Sequence, residues 1–186
     1  MGRTAGRDPE QTRAALLDAA SRLVRERGIS TTLDDVARRA GVSKGGLLYH
    51  FASKQELLLA MAADWLERFR VAVLAAVPPD DEAPGRLVRA YVRVSIEGAL
   101  DPAASRDALV VIAHLSTVDA VTELARADAQ RWQEDLRADG LPEDVLSLVL
   151  AAADGVSAQP VWGMEPAPEE LTRLREHLLA LTLVDR

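Results

Sequence analysis

Between Thr31 and Glu56 the chain reads TTLDDVARRAGVSKGGLLYHFASKQE, and three helix starts are legible in those few residues. Thr32 stands three residues before Asp35 and just ahead of Leu33, Val36 and Ala37, so its hydroxyl can accept an orphan backbone N–H of a new helix. Gly41 suits the left-handed position that follows a helix end, with Val42 able to pack back on Ala37. Ser43 caps a second helix running from Lys44 to about Phe51, and Ser53 with Glu56 makes a capping box for a third. Two short helices joined by so tight a turn must cross steeply, which is helix-turn-helix geometry. The rest of the chain is organised around that crossing.

The second short helix has two unlike faces. Leu47 and Phe51 share the side that meets the first helix, while Gly45, Leu48 and Tyr49 project the other way. Gly45 and Gly46 each cost about 1 kcal/mol of helix propensity relative to alanine. The return for such a cost is close approach of another backbone or a phosphate. The chain has only two lysines, Lys44 and Lys54, both at N-terminal turns here, and every other basic side chain is arginine.

The run GVSKGGLLYHFASKQELL resembles the recognition-helix signature of the TetR family of bacterial transcriptional regulators. The likeness covers about Pro9 to Leu59, with the small residues, the aromatic pair, the F-x-S-K run and the capping box in register. The resemblance implies an all-α protein without catalysis. It would have an N-terminal three-helix helix-turn-helix DNA-binding domain, residues 1–52, and a C-terminal helical ligand-binding and dimerisation domain, residues 53–186. By match of position it makes Thr32, Ser43, Lys44, Tyr49, His50 and Lys54 the DNA-contacting set, to which Gly45 and Leu48 are added from the outer face. Leu48 stands where the family often has a first tyrosine, so an apolar contact, for instance with a thymine methyl, can take the place of a polar one.

Plainer readings stand beside these. His50 is either a DNA contact or a packed histidine in the turn before Phe51. Lys54 alone would be an ordinary solvated lysine, and only its place beside a helix N-terminus within the motif makes it a phosphate contact. Tyr49 does not share the helical spacing of Leu47 and Phe51, which argues against a core role.

A net charge of −7 looks wrong for a nucleic-acid binder until it is divided. Residues 1–60 hold ten Lys/Arg against seven Asp/Glu, a net +3, and the remainder holds twelve against twenty-two, a net −10. Basic charge is therefore concentrated where DNA would be read. Acidity elsewhere either discourages coating of DNA by the wrong surface or simply confers solubility. The 186 residues are 48% hydrophobic, enough for one or two domains with a substantial core. No run of eighteen apolar residues and no charged-then-apolar leader is present, so a cytoplasmic protein with no membrane partner is expected. Cysteine is absent, which excludes disulfides, thiolate metal sites and cysteine nucleophiles.

Taken in order, Arg3 and Arg7 lie in a short basic arm that either is disordered when free or reaches a minor groove. Asp8-Pro9 opens a first helix with the stripe Leu16, Leu17, Ala20, Leu23 and Val24, ended by Gly28. From Ser53 a long helix reads through to about Ala76, passing Trp65 and Phe69, and a ligand pressing on its far end could tilt its DNA-reading end. VPPDDEAPG, Val77 to Gly85, is the clearest break. Helices follow over Arg86 to about Leu100, Ala103 to about Leu115, and Thr117 or Asp119 to Gly140, the last with Val121, Leu124 and Trp132 on one side. Of the final two helices, the one from Leu141-Pro142 is apolar on more than one face, and the one from Pro168 carries Leu171, Leu174, Leu178 and Leu181 in heptad-like steps. The resemblance implies that they pair with their two-fold mates in a four-helix bundle, with burial inside a monomer as the alternative.

Trp65, Phe69, Tyr91, His114, Trp132 and Trp162 are candidate ligand-pocket residues, mainly apolar with a few polar groups as bundle pockets are. Each could equally be core, and His114 reads first as a satisfied buried histidine. Nothing points to an enzyme, a metal or a cofactor. His50, His114 and His177 lie in separate helices without metal-ligand spacing, and no G-x-S-x-G, P-loop or dinucleotide glycine pattern occurs. Asp34-Asp35, Asp80-Asp81 and Glu169-Glu170 read as caps and solvated surface. The expected function is a ligand-responsive, homodimeric transcriptional regulator, a repressor released from double-stranded operator DNA by a small molecule. The alternatives are a sequestering helical bundle and a helix-turn-helix module for protein association.

Overall fold

The computed structural model describes residues 8–183, and the expected arm of Arg3 and Arg7 lies outside the described residues. Among these, all regular structure is helical: α1 (Pro9–Arg27), α2 (Leu33–Ala40), α3 (Lys44–His50), α4 (Lys54–Ala75), α5 (Arg86–Ala99), α6 (Pro102–Leu115), α7 (Asp119–Ala138), α8 (Glu143–Ala158) and α9 (Pro168–Leu181). Short 3-10 turns occupy Gly28–Ser30 and Gln159–Trp162. No single helix among them is long and apolar enough to cross a membrane. Packing divides the chain into two units, one made of the residues up to Leu66 with Val110–Ala125, the other of Glu67–Leu109 with the residues from Arg126 on.

In the first unit, α1 supplies Leu16, Leu17, Ala20, Leu23 and Val24, the stripe read from the sequence. They pack with Val36 and Ala37 of α2, Leu47 and Phe51 of the α3 region, and Leu57, Leu58 and Met61 of α4. Each fully buried leucine contributes about 1.5–3 kcal/mol, so this cluster is what holds two very short helices in place. Asp8 occupies the N-cap position of α1 without a side-chain hydrogen bond, and its carbonyl accepts from Thr12 N at 2.9 Å. The stripe expected on α7 divides: Val121 and Leu124 join this core, whereas Trp132 belongs to the other.

The second unit is built on Val73, Val88, Val92, Ile96, Trp132, Leu136, Leu146, Val149, Leu171 and Leu178. Its least expected member is a buried arginine. Arg89 donates from Nε and Nη2 to Asp81 at 3.0 and 2.6 Å and from Nη1 to the Pro84 carbonyl at 2.9 Å. The break after α4 is therefore strapped to α5. Asp81, read from the sequence as solvated surface, is instead the counter-ion of that arginine, whose side chain is the first cause of its lowered pKa. Asp139 plays a matching part at the start of α5, accepting from Leu87 N at 2.7 Å and Val88 N at 3.0 Å. Burial nevertheless pushes its carboxyl up from the usual carboxylate value, against the pull of those two bonds.

Candidate nucleic-acid interface

The capping chemistry of α2 and α3 is made in full. Asp35 N donates to Thr32 Oγ1 at 3.2 Å, and Thr32 returns its own N–H to Asp35 Oδ2 at 3.3 Å and its hydroxyl to the same oxygen at 2.6 Å. The hydroxyl bond, followed by the backbone one, holds the Asp35 carboxyl below the ordinary aspartate value. Gly41 sits in the left-handed region at φ 69°, and Val42 N donates to the Ala37 carbonyl at 2.9 Å. Ser43 Oγ accepts from Gly46 N at 3.1 Å, and Ser53 Oγ from Glu56 N at 3.1 Å. Glu56 reaches back one residue further than a standard box, accepting from Ala52 N at 2.8 Å.

These caps fix how α3 is turned. Leu47 and Phe51 are fully buried, whereas Leu48 is 41% and Tyr49 82% exposed. The two glycines of α3 are not equivalent. A Cβ on Gly46 would stand 2.8 Å from Val42 Cγ1 and 3.3 Å from Ser43 Oγ, so a side chain there would force Val42 to shift. A Cβ on Gly45 would meet nothing within 4 Å, so no contact within the protein requires a bare backbone there. His50 is half-buried, its ring edge-on to Tyr49 with centroids 5.2 Å apart. Thr32, Ser43 and Lys44 are exposed and Lys54 half-buried. Cations nearby are held in ion pairs: Lys44 with Asp34 at 3.1 Å, Arg38 with Asp35 at 3.1 Å, and Arg39 with Glu26 at 2.7 Å.

In the second unit Phe69, Tyr91 and Trp132 meet edge to face, with centroids 5.4 Å (Phe69–Tyr91), 5.8 Å (Phe69–Trp132) and 5.4 Å (Tyr91–Trp132) apart. The Arg70 guanidinium lies over the Trp132 ring, 4.1 Å from its centroid. Arg70 Nη1 donates to Asp135 at 2.6 Å, while Nη2 is 3.8 Å from Asp128, and Nε and Nη2 make no hydrogen bond. The Tyr91 hydroxyl donates to Asp154 at 2.8 Å. Burial first, and the Asp154 charge second, push that phenol above its ordinary value. Among the described residues no three His, Asp or Glu side chains gather as a metal site.

Two family patterns match this chain. The pattern described as "Bacterial regulatory proteins, tetR family" covers residues 16–61, and "Tetracyclin repressor-like, C-terminal domain" covers residues 85–183, more than half of the chain. The chain belongs to the TetR family. It is similar to the HTH-type transcriptional regulator SrpR of Pseudomonas putida, 41% identical over 64 residues that make up 34% of this chain and 30% of SrpR. It is also similar to the HTH-type transcriptional repressor KstR2 of Mycobacterium tuberculosis, 36% identical over 96 residues, 49% of this chain and 48% of that one. The matches thus span less than half the length of these relatives. A solved transcriptional regulator from Rhodococcus sp. Rha1 shares the fold with a TM-score of 0.67 and 26% identity, over 95% of this chain and 96% of that one.

Within this TetR-family chain, the eight residues expected to touch DNA all fall between Thr32 and Lys54, in the first unit. Of the six expected around a ligand, three meet in the second unit. Phe69, Tyr91 and Trp132 come together, Trp65 is 47% exposed in the first unit, and His114 lies in the first unit against Gly28. Trp162, 78% exposed, ends the 3-10 turn after α8. Sequence reading missed Arg70 and its carboxylates. The only signal was that Arg70 stands three residues before buried Val73, on the inner spacing of α4, since Asp135 is 65 residues away.

Proposed function

We propose that the chain is a ligand-responsive transcriptional regulator, which binds operator DNA as a homodimer and represses until a small molecule releases it. The outward face of α3 carries this reading: an open glycine backbone at Gly45 beside the exposed Leu48 and Tyr49, on a helix whose inner residues are sealed. A lone surface helix has no use for that combination, whereas a duplex groove does. In this reading each subunit lays Lys44–His50 in a major groove, with half-sites about 34–36 Å apart or somewhat more. Thr32, Ser43 and Lys54 hold phosphates and fix register, while Lys44, Gly45, Leu48 and Tyr49 meet base edges, with His50 beside them. The protein then works where operator DNA is, in the bacterial cytoplasm.

The last two helices serve as the dimer surface. In support, Leu148 is 58% exposed, and an open groove of about 470 Å³ beside it is lined by Ala151, Gly155, Ala158, Trp162, Met164 and Leu174. So apolar a surface is best buried against a second copy. We propose Phe69, Tyr91 and Trp132 as the effector site, since packed aromatic rings there meet the polar groups of Arg70 and Asp154. A coupling of about 1–3 kcal/mol between effector and operator changes DNA affinity about 5–150-fold. A gel shift with the DNA upstream of the protein's own gene, repeated across a salt series, tests the reading. Binding that weakens steeply with salt is expected. Absence of any salt-dependent binding would return the chain to the association or sequestering alternatives.

A further inference from the structure

We infer that Asp34 is a specificity-determining residue for operator recognition, acting through Lys44; this rests on the DNA-binding reading above. Lys44 opens α3 and Asp34 lies in the first turn of α2, so one ion pair bridges the starts of both helices. The ammonium stands 3.1 Å from Asp34 Oδ1 and 3.1 Å from Oδ2, midway between the two oxygens. An ammonium carries three donors, so engaging both oxygens leaves one N–H unspent. Both side chains are more than half exposed, so that remaining donor can reach a partner outside the protein.

Pairing changes what Lys44 is to DNA. A free lysine is a mobile point charge that any phosphate satisfies, and it strengthens binding to every sequence alike. Held by Asp34, it is nearly neutral at a distance, and the carboxylate repels phosphates on its own account. What survives is a directed donor, which gains from an acceptor fixed in place, such as O6 or N7 of a guanine in the major groove. Lys54 supplies the contrast, since no ion pair forms to it among the described residues. The two lysines thus divide the work: Lys54 attracts the backbone, while Lys44 selects.

The test compares wild type, Asp34→Asn, Lys44→Gln and the double variant, each bound to operator and to unrelated duplex DNA across a salt series. Far-UV circular dichroism confirms that all four are folded. Asp34→Asn frees a cation. Affinity for unrelated DNA is expected to rise about fivefold near 0.15 M salt, with the slope of log affinity against log salt steepening by about 0.9. The operator gains less, so the ratio of operator to unrelated binding falls several-fold. In the Lys44→Gln background, Asp34→Asn should leave that ratio unchanged. A ratio that holds or rises in the single variant overturns the inference, and so does a ratio that still falls without Lys44. If the wild type prefers no operator at any salt, the DNA-binding reading itself fails and takes this one with it. A wild type with clear operator preference and an indifferent Asp34→Asn variant sinks this inference alone.

Discussion

The imidazole of His114 lies against the Cα of Gly28, where a Cβ would stand 3.0 Å from Cε1 and 3.2 Å from Nδ1. Gly28 also adopts φ 68° and ψ −164°, a region that only glycine enters without strain. Gly28→Ala is therefore expected to destabilise the protein by about 1–3 kcal/mol. Thermal unfolding should show a fall of about 2–4 °C for each kcal/mol. Adding His114→Ala removes the contact but not the backbone cost, so the double variant recovers only part of the loss.

The two glycines of α3 give a cleaner separation of folding from function. Gly45→Ala places its methyl in open space and raises helix propensity, so stability holds or increases by about 0.5–1 kcal/mol. On the proposed reading the same methyl obstructs close approach of DNA, and operator affinity falls. Gly46→Ala does the reverse, since its methyl meets Val42 and stability drops. Urea denaturation beside a gel shift on the same preparations distinguishes the two.

Arg89 is 3% exposed and its partner Asp81 18%, so Arg89→Met leaves a partly buried carboxylate and the carbonyls of Ala83, Pro84 and Thr182 without their donor. A loss of about 3–5 kcal/mol is expected, at the level seen for broken buried pairs. Asp81→Asn keeps an acceptor facing the guanidinium and should cost less. Chemical denaturation of the two variants side by side gives the order.

Acid should weaken the protein partly through Asp35. Its folded pKa is held below the ordinary 3.8 by the Thr32 hydroxyl and N–H. The stabilisation is therefore present above about 3.8 and is lost as pH falls through the lower folded value. Asp35→Asn is expected to be less stable than wild type at pH 7, with the gap narrowing by pH 3. Urea midpoints at those two values would show a constant gap if the carboxylate contributed nothing.

What was legible in the sequence was what is local. Thr32, Gly41, Ser43 and Ser53 each act on a partner within five residues, so their spacing alone places the starts and stops of α2, α3 and α4. The inward Leu47 and outward Tyr49 follow from helical periodicity in the same way. Arg70 and Arg89 were not legible as buried groups, because a charged side chain goes inside only when its counter-ion is there. One counter-ion comes from a segment that reads as a solvated break, the other from 65 residues away. The ligand candidates rest on residue type, and type alone does not show that Phe69, Tyr91 and Trp132 meet edge to face.

The confinement of lysine to Lys44 and Lys54 has a practical result. Amine-selective reagents, which spare guanidinium, find no ε-amine on this chain outside the first unit. Apart from the terminal amine, acylation or fluorophore attachment therefore marks only the surface around α3 and the start of α4. Protection of those two amines by bound duplex would footprint the complex without any engineered cysteine.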